Sequence, residues 1–369
     1  MKSLAAIMWS STGNFEIEEV ELDPPKEGEV LVRWEHAGLC HSDEHTRHGD
    51  LPVTPPIIGG HEGSGVVEEV GPGVTRVKPG DRFISSWMPQ CNQCIYCLRG
   101  QHNMCVNGAY MMTSTMLDGT QRAHARGQGM GGVDLLGSFS QWNVIPEAGV
   151  VVVDESVPLD VVAILACGVP TGWGSAVNAA DTRPGDVVVV FGAGGIGINA
   201  VQGAAFAGAR MVVAVDPVEF KRDTALKLGA THAFATAEEA QDFVMAETWG
   251  HGAQSAIITI SVGTTQIVTE AFNIIGKRGT VVLTSVSNPA TQLSLPMLDT
   301  VLYEKRLVGS LFGTGSPHYT IPQLLKLYQD GHLRLDELIT NRYPLEKVNE
   351  GYDDLIAGKN IRGVLDIAH

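Results

Sequence analysis

The 369-residue chain is 44% hydrophobic and 18% charged, with a formal net charge of −16. That length accommodates two domains with cores of their own, and the acidity argues against nucleic acid or an anionic membrane as a partner. No run approaches the roughly 18 apolar residues of a membrane span. The N-terminal apolar stretch, broken at Ser10–Asn14, is too short for a signal core, so a cytoplasmic location is expected.

Residues 1–86 alternate short β-type runs (Phe15–Leu22, Val30–Glu35, Gly65–Val70) with Pro/Gly turns at Asp23-Pro24-Pro25, Gly71-Pro72-Gly73 and Lys78-Pro79-Gly80. This rhythm predicts a mostly antiparallel, barrel-like β domain. Two polar clusters inside it are not needed by a β core: Cys40-His41-Ser42-Asp43-Glu44-His45 and Gly59-Gly60-His61-Glu62-Gly63.

Cys91-x-x-Cys94-x-x-Cys97-x7-Cys105 follows. Four thiolates at this spacing match a closed, all-cysteine zinc site that ties a lobe together. A ferredoxin-type iron–sulfur motif is the rival. It continues with x3-Cys-Pro, whereas here the fourth cysteine comes later and precedes Val106. Residues 106–137 read as irregular, with Met111, Met112, Met116 and Met130 either facing a substrate or filling gaps. β character returns over Phe139–Val153, and Cys167 stands just before a helix start at Pro170.

From there to about Phe312, apolar runs (Val187–Phe191, Met211–Val215, Ala256–Ile260, Thr280–Thr284, Arg306–Ser310) alternate with helical segments, predicting a doubly wound parallel sheet. The first run leads directly into Gly192-Ala193-Gly194-Gly195-Ile196-Gly197. Gly192 permits the turn, Gly194 lets the backbone approach a pyrophosphate, and Gly197 lets the helix pack on the strand. Asp216 ends the next strand, where a carboxylate accepts hydrogen bonds from ribose hydroxyls. The stretch reads as a dinucleotide site. A helix around Ile321–Gln329 and a strand near Val364–Ile367 complete the chain.

Cys40-x-Ser42-Asp43, Gly60-His61-Glu62-Gly63, the four-cysteine lobe, Cys167-Gly168 and GAGGIG occur in the order and spacing of one family. The chain resembles the zinc-containing medium-chain alcohol dehydrogenases, and most of all their nicotinoprotein branch, over essentially its whole length. The resemblance implies an α/β fold: a GroES-like β-rich catalytic domain (1–168 and 312–369, lobe at 91–105) around a Rossmann doubly wound parallel sheet (169–311). It implies two zinc ions per chain, NAD, a small alcohol or aldehyde substrate, and a homo-oligomer, dimer or tetramer. In the nicotinoprotein branch NAD stays bound and a second electron acceptor is used.

Carried over by position, Cys40, His61 and Cys167 would hold the catalytic zinc, with Glu62 as a transient ligand and Asp43 orienting His61. Ser42 and His45 would pass on the alcohol proton. His41 and Arg362 match pyrophosphate contacts, although His41 stands where many relatives have arginine. Thr171 matches a nicotinamide contact, Asp216 and Lys221 ribose contacts, and Trp87 and Phe139 pocket walls. The rival within the family is a thiol-adduct formaldehyde dehydrogenase; its glutathione-dependent members carry Arg where this chain has Ala109, and tend to Tyr where it has His45. A non-catalytic zinc- or nucleotide-binding module is the rival from another class, and the acidic charge and complete relay weigh against it.

Overall fold

The computed structural model describes every residue of the chain except Asn288. It divides into two compact units: 1–167 with 316–331 and 335–369, and 168–315 with 332–334.

The first unit is built on two β systems. Strands Lys2–Met8, Glu16–Leu22, Ala123–Ala125, Gln128–Gly132 and Ile57–Ile58 close a small barrel, antiparallel except where Ile57–Ile58 meets Gln128–Gly132. In Glu16–Leu22 the alternation that predicts a half-buried strand is visible, with Val20 and Leu22 inside and glutamates outside. Met116 and Met130 fill the barrel core beside Ala5, Ile7 and Ile58, so two of the four methionines fill gaps. Residues 106–137, expected to be irregular, contain the Ala123–Ala125 and Gln128–Gly132 hairpin. Its strands are short and its turn carries Arg126 at φ 50°, too little alternation to stand out in sequence.

The second system is a seven-stranded sheet whose longest member, Glu29–Leu39, pairs with Gly63–Val70, Trp142–Pro146 and Arg362–Asp366. The C-terminal strand is thereby stitched into the sheet that carries the first polar cluster. That cluster forms a helix, His41–His48, started by Cys40 and stopped by Gly49 in the left-handed region (φ 84°). No apolar stripe marks it, yet Asp43, Glu44, His45, Thr46 and Arg47 are buried.

The second unit contains a six-stranded parallel sheet, ordered His232–Phe234, Met211–Val215, Val187–Phe191, Ala253–Ile258, Ile275–Leu283, Arg306–Gly309. The two central Val-rich strands are buried at every position, as unbroken apolar runs demand. The edge strand His232–Phe234 has only three partly buried residues, and no sequence expectation included it.

Candidate active site

The four lobe cysteines converge in the first unit, with their sulfurs within 4.8 Å of one another and no disulfide among them. The chain wraps by giving backbone N–H groups to sulfur: Cys94 to Cys91 Sγ at 3.3 Å, Cys97 to Cys94 Sγ at 3.5 Å, Cys91 to Cys105 Sγ at 3.4 Å. The N–H bond from Cys97, with help from Val106, pulls the Cys94 thiol down to about 6, whereas burial pushes Cys97 up to about 12. Four sulfurs within 4.8 Å of one another, three of them accepting backbone N–H groups, fit a divalent ion that displaces the thiol protons.

A second set lies deeper. Cys40 follows the long strand, His61 follows Ile57–Ile58, and Cys167 ends the turn Ala163–Ala166. One ligand atom each of Cys40, His61, Glu62 and Cys167 lies within 4.8 Å of the others, and all four residues are buried. Asp43, itself 0% exposed, places Oδ2 3.0 Å from His61 Nδ1 and takes the Gly60 N–H on Oδ1 at 3.2 Å. His61 Nε2 is left buried with no hydrogen-bond partner among the described residues. The hydrogen bond between the two sulfurs holds Cys40 well below the ordinary thiol range and Cys167 well above it. Burial opposes charge on His61, but Asp43 and the two sulfurs outweigh it and hold the ring well above its usual value. Two sulfurs, one imidazole nitrogen without a partner and a carboxylate nearby fit a zinc centre with an open position.

The dinucleotide motif is read in the second unit by itself. Gly192 adopts φ 93°, which favours glycine. A Cβ at Gly197 would stand 1.8 Å from the Gly192 carbonyl oxygen, so strand and helix touch there. A Cβ at Gly194 would meet nothing within 4 Å, leaving open space at the N-terminus of helix Gly195–Phe206 where a phosphate fits. Asp216 is clamped by two backbone donors, Ala193 N–H on Oδ2 (2.8 Å) and Val218 N–H on Oδ1 (2.9 Å). Arg222 Nη1 is tied to the carbonyls of Asp216 and Pro217. Thr259, which no sequence signal marked, donates its hydroxyl to the carbonyls of Phe191 (3.0 Å) and Gly192 (2.8 Å) and braces the turn.

Comparison with known proteins agrees with this arrangement. Residues 26–155 match the alcohol dehydrogenase GroES-like domain and residues 195–330 the zinc-binding dehydrogenase domain. The chain is 54% identical over 367 residues to the NDMA-dependent alcohol dehydrogenase of Amycolatopsis methanolica, covering 99% of each. The chain belongs to the zinc-binding medium-chain alcohol dehydrogenases. Among solved structures, an alcohol dehydrogenase zinc-binding domain protein from Burkholderia ambifaria (31% identity, TM-score 0.94) and benzyl alcohol dehydrogenase from Acinetobacter calcoaceticus (28%, TM-score 0.93) are each matched over 100% of both chains.

The remaining positions can be placed against this alcohol dehydrogenase fold. Ser42 Oγ lies 3.6 Å from Cys40 Sγ, beside the deeper metal set. His45 is 4% exposed, with Nδ1 3.1 Å from Asp50 Oδ2 and its ring 6.5 Å from that of His41. Asp50 lies just past the helix end, where sequence gives no hint that it turns back. The Trp87 ring meets His61 edge-on at 6.4 Å. Phe139, assigned to a pocket wall by resemblance, is fully enclosed against Gly59 and Gly60 and between Phe15 and Tyr352. Arg362, assigned to pyrophosphate, has its guanidinium on the Glu62 carboxylate. Thr171 is buried on helix Gly168–Gly174, and Lys221 is partly exposed on helix Glu219–Lys227. Asp134, flagged by no motif, is buried, and its Oδ1 has no hydrogen-bond partner among the described residues. Its own burial pushes the carboxyl up to about 7.

Proposed function

We propose that this alcohol dehydrogenase carries two zinc ions per chain, uses NAD rather than NADP, keeps that NAD bound through turnover, and passes electrons to a second acceptor. The convergence of Cys40, His61 and Cys167 around an unpartnered imidazole nitrogen carries the catalytic part of this reading. Cys40, His61 and Cys167 would hold a zinc ion that would supply Lewis acidity toward an alcohol oxygen, and a bound nicotinamide would supply the hydride acceptor. Ser42 takes the alcohol proton, and His45, steadied by Asp50, is the base behind it.

The preference for NAD is supported by Asp216, whose carboxylate would face a 2′-phosphate with like charge, while Arg222 is occupied by backbone carbonyls. Retention of NAD is supported by the 54% identity to a relative named for its NDMA dependence. It requires a nanomolar dissociation constant, about 12 kcal/mol, against about 8 for micromolar exchange. Six free cysteines fit a reducing, cytoplasmic setting. Self-association is supported by Met297, Leu298, Val301 and Leu302, each at least 64% exposed just before the edge strand Arg306–Gly309.

The test is purification without added nucleotide, followed by denaturation and counting of released NAD(H), with alcohol oxidation assayed with and without NDMA. Near-stoichiometric NAD and acceptor-dependent turnover support the proposal. Nucleotide-free protein that turns over steadily on added NAD alone refutes retention.

A further inference from the structure

Tyr352 lies on the helix Val348–Ile356 and is 0% exposed. Its ring is caged by Phe15 and Phe139, with centroids at 6.0 and 6.2 Å, and by the Arg47 guanidinium 5.1 Å above its face. Arg47 is itself fixed, by Glu44 and Asn14. Such a cage would hold phenylalanine equally well, so packing does not account for the hydroxyl. That hydroxyl and Asp43 Oδ2 are both buried without a hydrogen bond of ordinary geometry among the described residues, and Asp43 is close enough to act on the Tyr352 hydroxyl. Oδ2 is the oxygen 3.0 Å from His61 Nδ1, an approach that closes no hydrogen bond of ordinary geometry among the described residues. A buried polar group left without a partner is costly, and a hydrogen bond from the hydroxyl to the carboxylate satisfies both.

We propose that Tyr352 is a positioning residue for the catalytic metal: its hydroxyl donates to Asp43, which in turn holds His61 with Nδ1 on the carboxylate and Nε2 toward the metal. The proposal rests on the reading of Cys40, His61 and Cys167 as a zinc set. It assigns Asp43 two donors, the Tyr352 hydroxyl and His61 Nδ1–H, besides the Gly60 N–H already on Oδ1. Partners of this kind behind a ligating histidine fix its tautomer and ring orientation.

The test follows zinc release from the holoenzyme into excess colorimetric chelator. The two phases are assigned with Cys40→Ser and Cys94→Ser. In Tyr352→Phe the catalytic-site phase is expected to accelerate roughly 3- to 10-fold, less than the 10- to 100-fold typical of a direct partner of a ligand. The lobe phase should stay unchanged and reports any general loosening. In an Asp43→Asn background, Tyr352→Phe should add nothing. An unchanged catalytic-site phase, equal acceleration of both phases, or a full effect in the Asp43→Asn background would overturn the proposal. Wild-type protein with a single zinc per chain would overturn the zinc reading instead.

Discussion

Arg362 and Glu62, 300 positions apart in sequence, form a buried ion pair within the first unit, with side chains 4% and 0% exposed. The pair ties the C-terminal strand to the deeper candidate metal set, because Glu62 is one of that set's four possible donors. Removing one partner leaves the other charge buried alone. Arg362→Met is therefore expected to cost about 3–5 kcal/mol, and Glu62→Gln with Arg362→Met to recover much of it. Denaturant unfolding of the three proteins measures this; a single variant within about 1 kcal/mol of wild type would contradict it.

The two metal sets should separate by mutation. Cys94→Ser is expected to lose one zinc and much stability, because the lobe is held together by its sulfurs. Cys40→Ser should lose the other zinc and activity while keeping its fold. Elemental analysis beside thermal unfolding measures both, and equal destabilisation without metal loss in either variant would contradict the assignment.

Two glycines of one motif should fail in different ways. Gly194→Ala adds a methyl to open space, so stability should hold while nucleotide affinity falls. Gly197→Ala drives a methyl into the Gly192 carbonyl and Thr259 Oγ1, so the fold itself should weaken. Nucleotide titration and thermal unfolding together separate the outcomes; unaltered affinity in Gly194→Ala would remove phosphate from that space.

Asp134 predicts a pH dependence. Its carboxyl is raised to about 7 in the fold against 3.8 for an unperturbed aspartate, so between those values the folded state holds more protons than the unfolded one. Its contribution to stability is present below about pH 4 and is lost as pH rises toward 7, by up to roughly 1.4 kcal/mol per unit. Asp134→Asn should therefore gain stability over wild type at pH 8 relative to pH 5. Unfolding curves of both proteins across that range measure it, and parallel pH profiles would contradict it.

The fold was legible where one physical signal dominated. Val187–Phe191 has no polar residue because both faces are covered, and the glycines follow at the one place where the chain must turn sharply. The four-cysteine spacing likewise carries its own geometry. Cys40, His61 and Cys167 were different: nothing local says that residues so far apart meet, and only the resemblance connected them before the structure gathered their ligand atoms. Helix His41–His48 escaped because its buried face is polar, held by ion pairs and hydrogen bonds rather than by an apolar stripe. Asp50, Thr259, Asp134 and Tyr352 take their surroundings from the tertiary fold, and no periodicity announces such positions.

A single-turnover experiment with a primary alcohol deuterated at the carbinol carbon tests the central claim most directly. Protein purified without added nucleotide is mixed with this alcohol and no acceptor, then denatured, and the extracted nucleotide is weighed by mass spectrometry. The account predicts close to one deuterium per chain in reduced nicotinamide for wild type, and none for Cys40→Ser carrying the same amount of nucleotide. Aldehyde formed without deuterium in the nucleotide, or equal labelling in Cys40→Ser, would contradict it.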